Sequence, residues 1–275
     1  MMRSMARVAA FCLLLSAGAS AARAEGAMVT APAPRPVTVR VETASADIEV
    51  RRGAEPKVVL SVDDDDVGSV RLVSKDKDVL EAVFDGQTTL PSGQVRLLVP
   101  AGSKVELHTQ SGDIKVRDLK AEARVRSLSG DIKISGALGL DVRTVSGDLN
   151  LEGAGNMRVK TVSGDVQVHD QRTSGGATIE LETTSGDVRW SGVCGAGCRL
   201  SASSMSGDLQ LAFDVKSSFA FTLQSHSGDL EDDLGVQLSR SGGRHRGADA
   251  EGRYAKGEGA VDCRSFSGDT HLYKR

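Results

Sequence analysis

Aromatic residues are scarce in this chain: one Trp, two Tyr and six Phe, or 3% of 275 residues. A pocket walled by stacked rings, of the kind that grips sugars, is therefore disfavoured. Prolines number only six. Beyond the first twenty-four residues, no apolar run approaches the ~20 residues that a membrane-spanning helix requires. The net charge is only −3, which disfavours a strongly basic nucleic-acid binder. With 39% hydrophobic residues the chain is also too apolar to be disordered. Neither a phosphate loop nor a dinucleotide fingerprint occurs. What is plentiful is glycine, 31 residues, beside Val, Leu, Ile and Ala. That balance suits short strands and tight turns.

Arg3 and Arg7 precede an apolar run from Val8 to about Ala19, and Ala22-Arg23-Ala24 places small residues before Glu25. The pattern predicts a secretory signal peptide over residues 1–24, cleaved near Ala24. Cys12 lies inside the run and not at its end, which argues against lipidation. The expected destination is the periplasm or the cell surface, with no membrane span. Residues 25–36, which include Thr30-Ala-Pro-Ala-Pro-Arg-Pro36, read as a Pro/Ala-rich linker. Residues 37–275 read as one repeat domain.

The repeat is Ser-Gly-Asp. It begins at Ser111, Ser129, Ser146, Ser163, Ser185, Ser206, Ser227 and Ser267, in steps of 18, 17, 17, 22, 21, 21 and 40 residues. The last step reads as two periods, with Gly247-Ala248-Asp249 as a degenerate copy between them, and Ser45-Ala46-Asp47 reads as another worn copy. Apolar-polar-apolar triplets follow the Asp, as in Ile114-Lys115-Val116 and Leu149-Asn150-Leu151. A second alternating stretch precedes the Ser, as in Val142-Arg143-Thr144. Period-2 alternation rich in β-branched residues means half-buried strands.

Two all-β architectures compete, a meander of hairpins and a solenoid that stacks one coil per repeat. Equivalent positions favour the solenoid. Four residues before each Ser stands Leu107, Val125, Val142, Val159, Leu181, Ala202, Leu223 or Cys263, and two before it always stands Ser or Thr. The expected fold is thus a single-domain parallel β-helix or β-solenoid with about 17–22 residues per coil. Residues 37–101 lack the tripeptide and are expected to form N-terminal coils or a cap, with residues 102–275 carrying the repeats.

Gly112, Gly130, Gly147, Gly164, Gly186, Gly207, Gly228 and Gly268 allow the positive φ of a tight corner. Asp113, Asp131, Asp148, Asp165, Asp187, Asp208, Asp229 and Asp269 then have two readings. Their carboxylates staple the corner by accepting backbone N–H groups. Alternatively they bind calcium, because like charges stacked ~4.8 Å apart repel by about 0.9 kcal/mol per neighbour even in water. No other cofactor is implied. Cys194-Gly-Ala-Gly-Cys198 suits a short-loop disulfide in an oxidising compartment, whereas Cys263 falls in the apolar column. Histidines 108, 169, 226, 245 and 271 show no metal-ligand spacing. Outward positions of the early coils carry Lys115, Arg117, Arg124, Arg126, Lys133, Arg143, Arg158 and Lys160. They form either an ordinary solvated face or a band for an anionic envelope polymer, with Arg124, Arg126, Lys133, Arg143, Arg158 and Lys160 as its contacts. The stretch Ser239–Gly259, rich in Gly and Arg, reads as a loop or a damaged coil.

The iterated Ser-Gly-Asp-apolar-x-apolar unit, and the entry Leu98-Val-Pro-Ala-Gly-Ser-Lys-Val105, resemble the bacterial "putative adhesin" β-strand-repeat family, domain of unknown function 4097. The resemblance covers roughly residues 37–275. It implies an exported, β-helix-like envelope protein without known catalytic residues, acting as an adhesin-like scaffold or binding module. Two other roles stay open: a polysaccharide-active β-helix enzyme, and an envelope-stress sensor that works through an envelope protein partner.

Overall fold

A strand that alternates apolar with polar residues can bury only one side, so it must share its core with a second layer. The computed structural model describes residues 27–63, 69–84, 86–87, 89–90, 92–172, 176–236, 239–241 and 248–275. The expected signal peptide lies outside these residues, as does most of the acidic run Asp63–Asp66. Among the described residues the regular elements are all strands, and they enclose one core. The fold is a parallel β-solenoid.

Each coil contributes one strand before the Ser and one after the Asp. The first stack runs in space through Thr38–Thr43, Lys104–Ser111, Glu122–Ser129, residues 139–144, residues 156–163, Thr178–Ser185, Arg199–Ser206, Gly259–Ser267 and Phe219–Ser227. The second runs through Asp47–Arg52, Ile114–Arg117, residues 132–135, residues 149–152, Val166–Arg172, Val188–Val193, Leu209–Phe213, Thr270–Lys274 and Leu230–Asp232. Ile132–Thr144 and Leu149–Ser163 pass unbroken through the return bend and belong to both. Register is kept residue for residue on both sides of the Ser-Gly-Asp corner and shifts only toward the return bend, as between Ile134 and Ala137 and between Val168 and Gln171. Val41, Leu107, Val125, Val142, Val159, Leu181, Ala202, Cys263 and Leu223 form one fully buried column. Ile48, Ile114, Ile132, Leu149, Val166, Val188 and Leu209 are buried on the other stack. Each Val, Leu or Ile so buried contributes about 1.5–3 kcal/mol.

Glycine is obligatory at the corner. Gly112 through Gly268 of the repeat have φ between 109° and 153°. A Cβ on Gly147 would overlap the carbonyl oxygen of Gly130 in the next coil, and the same holds along the column. Ala46 is tolerated because the first corner lacks the positive φ. It is nonetheless a true copy: Ile48 pairs in register with Ile114, and Asp47 accepts the N–H of Asp113.

Three expectations are corrected. Residues 25–36 are not simply a linker, because Ala27–Pro32 forms a strand antiparallel to Lys57–Asp63. Val29 packs on the core there, and Pro32 sits where an edge strand needs no donor. Nor is Asp249 a corner residue. Ala248–Tyr254 runs antiparallel to Phe219–Ser227 and pairs on its other side with Ser239–Ser241, so these two strands cap the solenoid, while residues 242–247 between them lie outside the described residues. Finally, the last repeat in sequence is not last in space. Gly259–Ser267 lies between Arg199–Ser206 and Phe219–Ser227. The reason is visible in Asp232, which occupies an inward position that other coils fill with Val, Leu, Ile or Trp. Burial pushes its carboxyl above the usual range. A coil with an acid in its apolar column is best accommodated at the end of the stack.

At the N-terminal end, Gln94–Val99 and Val79–Phe84 run parallel on the first coil, and antiparallel strands close their outer side. Lys57–Asp63 pairs with Gln94–Val99, and Val70–Asp76 with Val79–Phe84. Such caps keep an open parallel edge from recruiting another chain. The few rings gather at the other end: Trp190 and Phe213 lie 5.0 Å apart, Phe213 and Phe219 4.2 Å, and Phe219 and Tyr254 5.6 Å.

Two outcomes follow. Gly147→Ala should lower unfolding stability by about 3 kcal/mol, whereas Gly195→Ala, with no positive φ and open space at its Cβ, should change it by less than about 0.5 kcal/mol. Urea titration of both variants measures the difference. Ser203→Cys with Arg264→Cys should form a disulfide on oxidation, because those residues are paired neighbours. Ser203→Cys with Gln224→Cys should not, since two strand spacings place their Cα atoms about 9.6 Å apart, beyond disulfide reach. Peptide mass mapping distinguishes the two.

Candidate interaction surface

At the corner the aspartates form a continuous ladder. The backbone N–H of each donates to Oδ1 of the Asp in the preceding coil, in the order Asp47, Asp113, Asp131, Asp148, Asp165, Asp187, Asp208, Asp269 and Asp229, at 2.8–3.0 Å. Each Asp carbonyl from Asp113 onward accepts the N–H that follows the neighbouring Asp, as Ile114 donates to Asp131 at 2.9 Å. One oxygen of each carboxylate from Asp47 to Asp269 is thereby committed to a backbone donor. Arg189 reaches Oδ2 of Asp165 and Asp187 at 3.3 and 2.8 Å. Behind the ladder, the buried hydroxyls of Ser127, Thr144 and Thr161 donate to the carbonyls of Ser129, Ser146 and Ser163. This geometry fits the stapled corner. Among the described residues no group of three or more acids, His or Cys is placed to hold a metal.

Every second residue of the first stack points out, and three of the outward rows lie nearest the corner. Of these three, the row farthest from the corner alternates in sign: Arg40, Glu106, Arg124, Asp141, Arg158 and Glu180 occupy successive coils. Arg40 binds Glu106 at 2.8 Å and Arg124 binds it at 2.6 Å. Arg124 lies 3.6 Å from Asp141, and Arg158 binds Glu180 at 2.7 Å. These charges neutralise one another. All of them but Arg40 also line a groove of about 780 Å³ with Lys104, Glu122, Leu138 and Met157.

The middle row is different. Arg126, Arg143 and Lys160 follow one another in three consecutive coils, bounded by His108 and by Glu182, to which Lys160 is paired. Arg143 lies 3.4 Å from Asp141 in the neighbouring row. Burial pushes the His108 imidazole below its usual range, so it adds no charge to the run at neutral pH. The row nearest the corner carries Leu128, Val145, Val162, Met205 and Phe266, all exposed.

The single cationic band expected from the sequence is therefore corrected. Lys133 pairs in register with Lys115 on the second stack, a separate sheet face. On that face Arg117, Arg51 and Arg96 surround Glu49, whose carboxyl the Arg51 hydrogen bond holds below the usual range, with the charges of Arg51, Arg117 and Arg96 acting in the same direction. Arg124 and Arg158 are consumed by ion pairs. Of the six expected contacts only Arg126, Arg143 and Lys160 stand together. Arg51 escaped notice although it stands four residues after Asp47, as Arg117 does after Asp113.

Cys194 and Cys198 form a disulfide in the turn between Val188–Val193 and Arg199–Ser206. Cys263 is buried, and burial raises its thiol well above the usual range. His271 lies 2.9 Å from Asp233, and His226 stacks on Phe266.

The hydrogen bond from Arg40, with the charges of Arg40 and Arg124, outweighs burial and holds the Glu106 carboxyl below its usual range. A depressed carboxylate contributes stability above its ordinary pKa and loses it as pH falls through the folded value. Glu106→Gln should thus cost about 1 kcal/mol at neutral pH, and the difference should shrink as the pH falls below the ordinary carboxylate range. Thermal unfolding across pH measures it.

A family model described as Toastrack, domain of unknown function 4097, matches residues 11–192 and again residues 140–273. No curated protein matches the chain. Among solved structures, a "putative adhesin" from Parabacteroides distasonis is 8% identical, with 90% of this chain and 98% of that one aligned at a TM-score of 0.48. A "putative adhesin" from Parabacteroides merdae is 12% identical over 70% and 90% of the two chains, with a TM-score of 0.30. A "putative cell adhesion protein" from Clostridium sporogenes is 9% identical over 91% and 100%, with a TM-score of 0.26. The two matches of the family model together span the Ser-Gly-Asp coils from first to last, and the chain belongs to the Toastrack family, domain of unknown function 4097.

Proposed function

We propose that this chain is an exported, non-catalytic envelope protein, an adhesin-like scaffold whose first stack binds an anionic envelope polymer through Arg126, Arg143 and Lys160. The observation that carries the reading is the run of three cations on consecutive coils, where the neighbouring row alternates in sign and cancels itself. Cations ~4.8 Å apart on a rigid sheet match closely spaced phosphate or sulfate groups and lose little side-chain freedom on binding. The adhesin names given to the solved structures accord with a binding role.

The enzyme reading draws on the groove, which gathers Glu106, Asp141 and Glu180. Glycoside cleavage needs one carboxyl kept protonated as a general acid. The arginine hydrogen bonds to Glu106 and Glu180 hold both carboxyls below the usual range, which favours ion pairing over proton donation. The groove is therefore better suited to rigidifying the face.

Arg126→Ser/Arg143→Ser/Lys160→Ser should weaken binding to dextran sulfate about tenfold or more, and raising salt should weaken the unaltered protein similarly. Calorimetric titration with the polymer measures both. Binding indifferent to the triple change sinks the reading.

A further inference from the structure

We propose that the first stack carries a membrane-docking strip, in which the exposed apolar row beside the Ser-Gly-Asp corner enters the surface of an anionic lipid bilayer while Arg126, Arg143 and Lys160 meet the headgroup phosphates. The inference rests on the anionic-partner reading above and narrows that partner from a polymer to a lipid surface.

The residue directly before each Ser points to solvent. In spatial order these residues are Gln110, Leu128, Val145, Val162, Thr184, Met205, Phe266 and His226. Leu128 is 56% exposed, Met205 60% and Phe266 58%. From Leu128 to His226 the row crosses six strand spacings, about 29 Å. Scattered apolar residues on a surface need no explanation, but Leu128, Val145 and Val162 on three successive coils, followed beyond Thr184 by Met205 and Phe266, do. The other outward positions of the same strands are charged or polar, so the row is not a general feature of this face.

The cations give the row its occupant. Arg126 stands two residues from Leu128, Arg143 from Val145 and Lys160 from Val162, so an apolar and a cationic side chain lie about 7 Å apart on each of three adjacent coils. A hydrated anionic polymer makes no use of the apolar member of each pair. An anionic bilayer uses both, because interfacial binding adds buried apolar area to attraction between basic residues and headgroups. On its other side the row is bordered by Asp131, Asp148 and Asp165, each with one oxygen held by a backbone N–H. An anionic surface is thus drawn to the strip from its Arg126–Lys160 side.

The test uses the full chain with phosphatidylglycerol vesicles, phosphatidylcholine vesicles and dextran sulfate. An environment-sensitive dye on Val145→Cys should shift to the blue with phosphatidylglycerol vesicles only. The same dye on Lys133→Cys, on the opposite stack, should not respond. Leu128→Ser/Val145→Ser/Val162→Ser should reduce vesicle binding about tenfold and leave dextran sulfate binding and the unfolding midpoint unchanged. The proposal is overturned if the two dyes respond alike, if the apolar triple variant binds vesicles as before, or if it changes only self-association in sedimentation. Dextran sulfate binding that depends on Arg126 and its neighbours, without vesicle binding, would sink the lipid strip and leave the polymer reading standing. Vesicle binding through the strip without polymer binding would do the reverse.

Discussion

Close contact of backbones at the Ser-Gly-Asp corner is the constraint on which the rest of this solenoid depends. A glycine with positive φ lets the carbonyl of one coil sit where a Cβ would otherwise stand, and the aspartate that follows ties its own coil to the next one through Oδ1. Because every corner is locked the same way, neighbouring coils cannot slip by a residue. A one-residue slip would turn Val125, Val142 and Val159 to solvent and Arg126, Arg143 and Lys160 inward. The corner thus determines which residues form the core and which form the face. It also explains how a core with so few rings remains filled: branched aliphatic side chains repeat in columns at one spacing, and each packs on its counterparts above and below.

Equal stacking makes chemistry along a face additive, and the sign pattern from coil to coil decides its consequence. Arg40, Glu106, Arg124, Asp141, Arg158 and Glu180 alternate, so their attraction is spent within the protein and the row stiffens the sheet. Arg126, Arg143 and Lys160 repeat one sign, so their field reaches outward. The two rows share strands and differ by a shift of two residues. Binding capacity in such a fold is therefore a matter of neighbours in space, and a list of exposed cations overstates it.

The ends of the solenoid obey another rule, since a terminal coil has a neighbour on one side only. Gln94–Val99 and Val79–Phe84 lie against the first coil with antiparallel partners outside them, and Ala248–Tyr254 covers the last. The ring cluster of Trp190, Phe213, Phe219 and Tyr254 fills the larger and less regular space near that end. Asp232, half-buried in what would be an apolar column, is accommodated there, and the coil ending in Lys274 packs inside it.

Period-2 alternation and the recurring tripeptide were enough to read the solenoid, its inward columns, the hydroxyl position behind the corner and the burial of Cys263, because these depend on local spacing that every coil repeats. The order of coils was not legible. Ser227 precedes Ser267 in the chain, yet Asp269 lies between Asp208 and Asp229, since long-range pairing answers to burial energetics that no local pattern encodes. The candidate surface divided along the same line. Sequence alone determined that Lys133 and Arg126 face outward; only the tertiary structure decided that they face outward on different sheets, that Arg124 and Arg158 are neutralised, and that Leu128, Val145 and Val162 line up beside Arg126, Arg143 and Lys160. The physical reason is that outwardness follows from the pleat of a single strand, whereas partnership follows from which coil lies next to it.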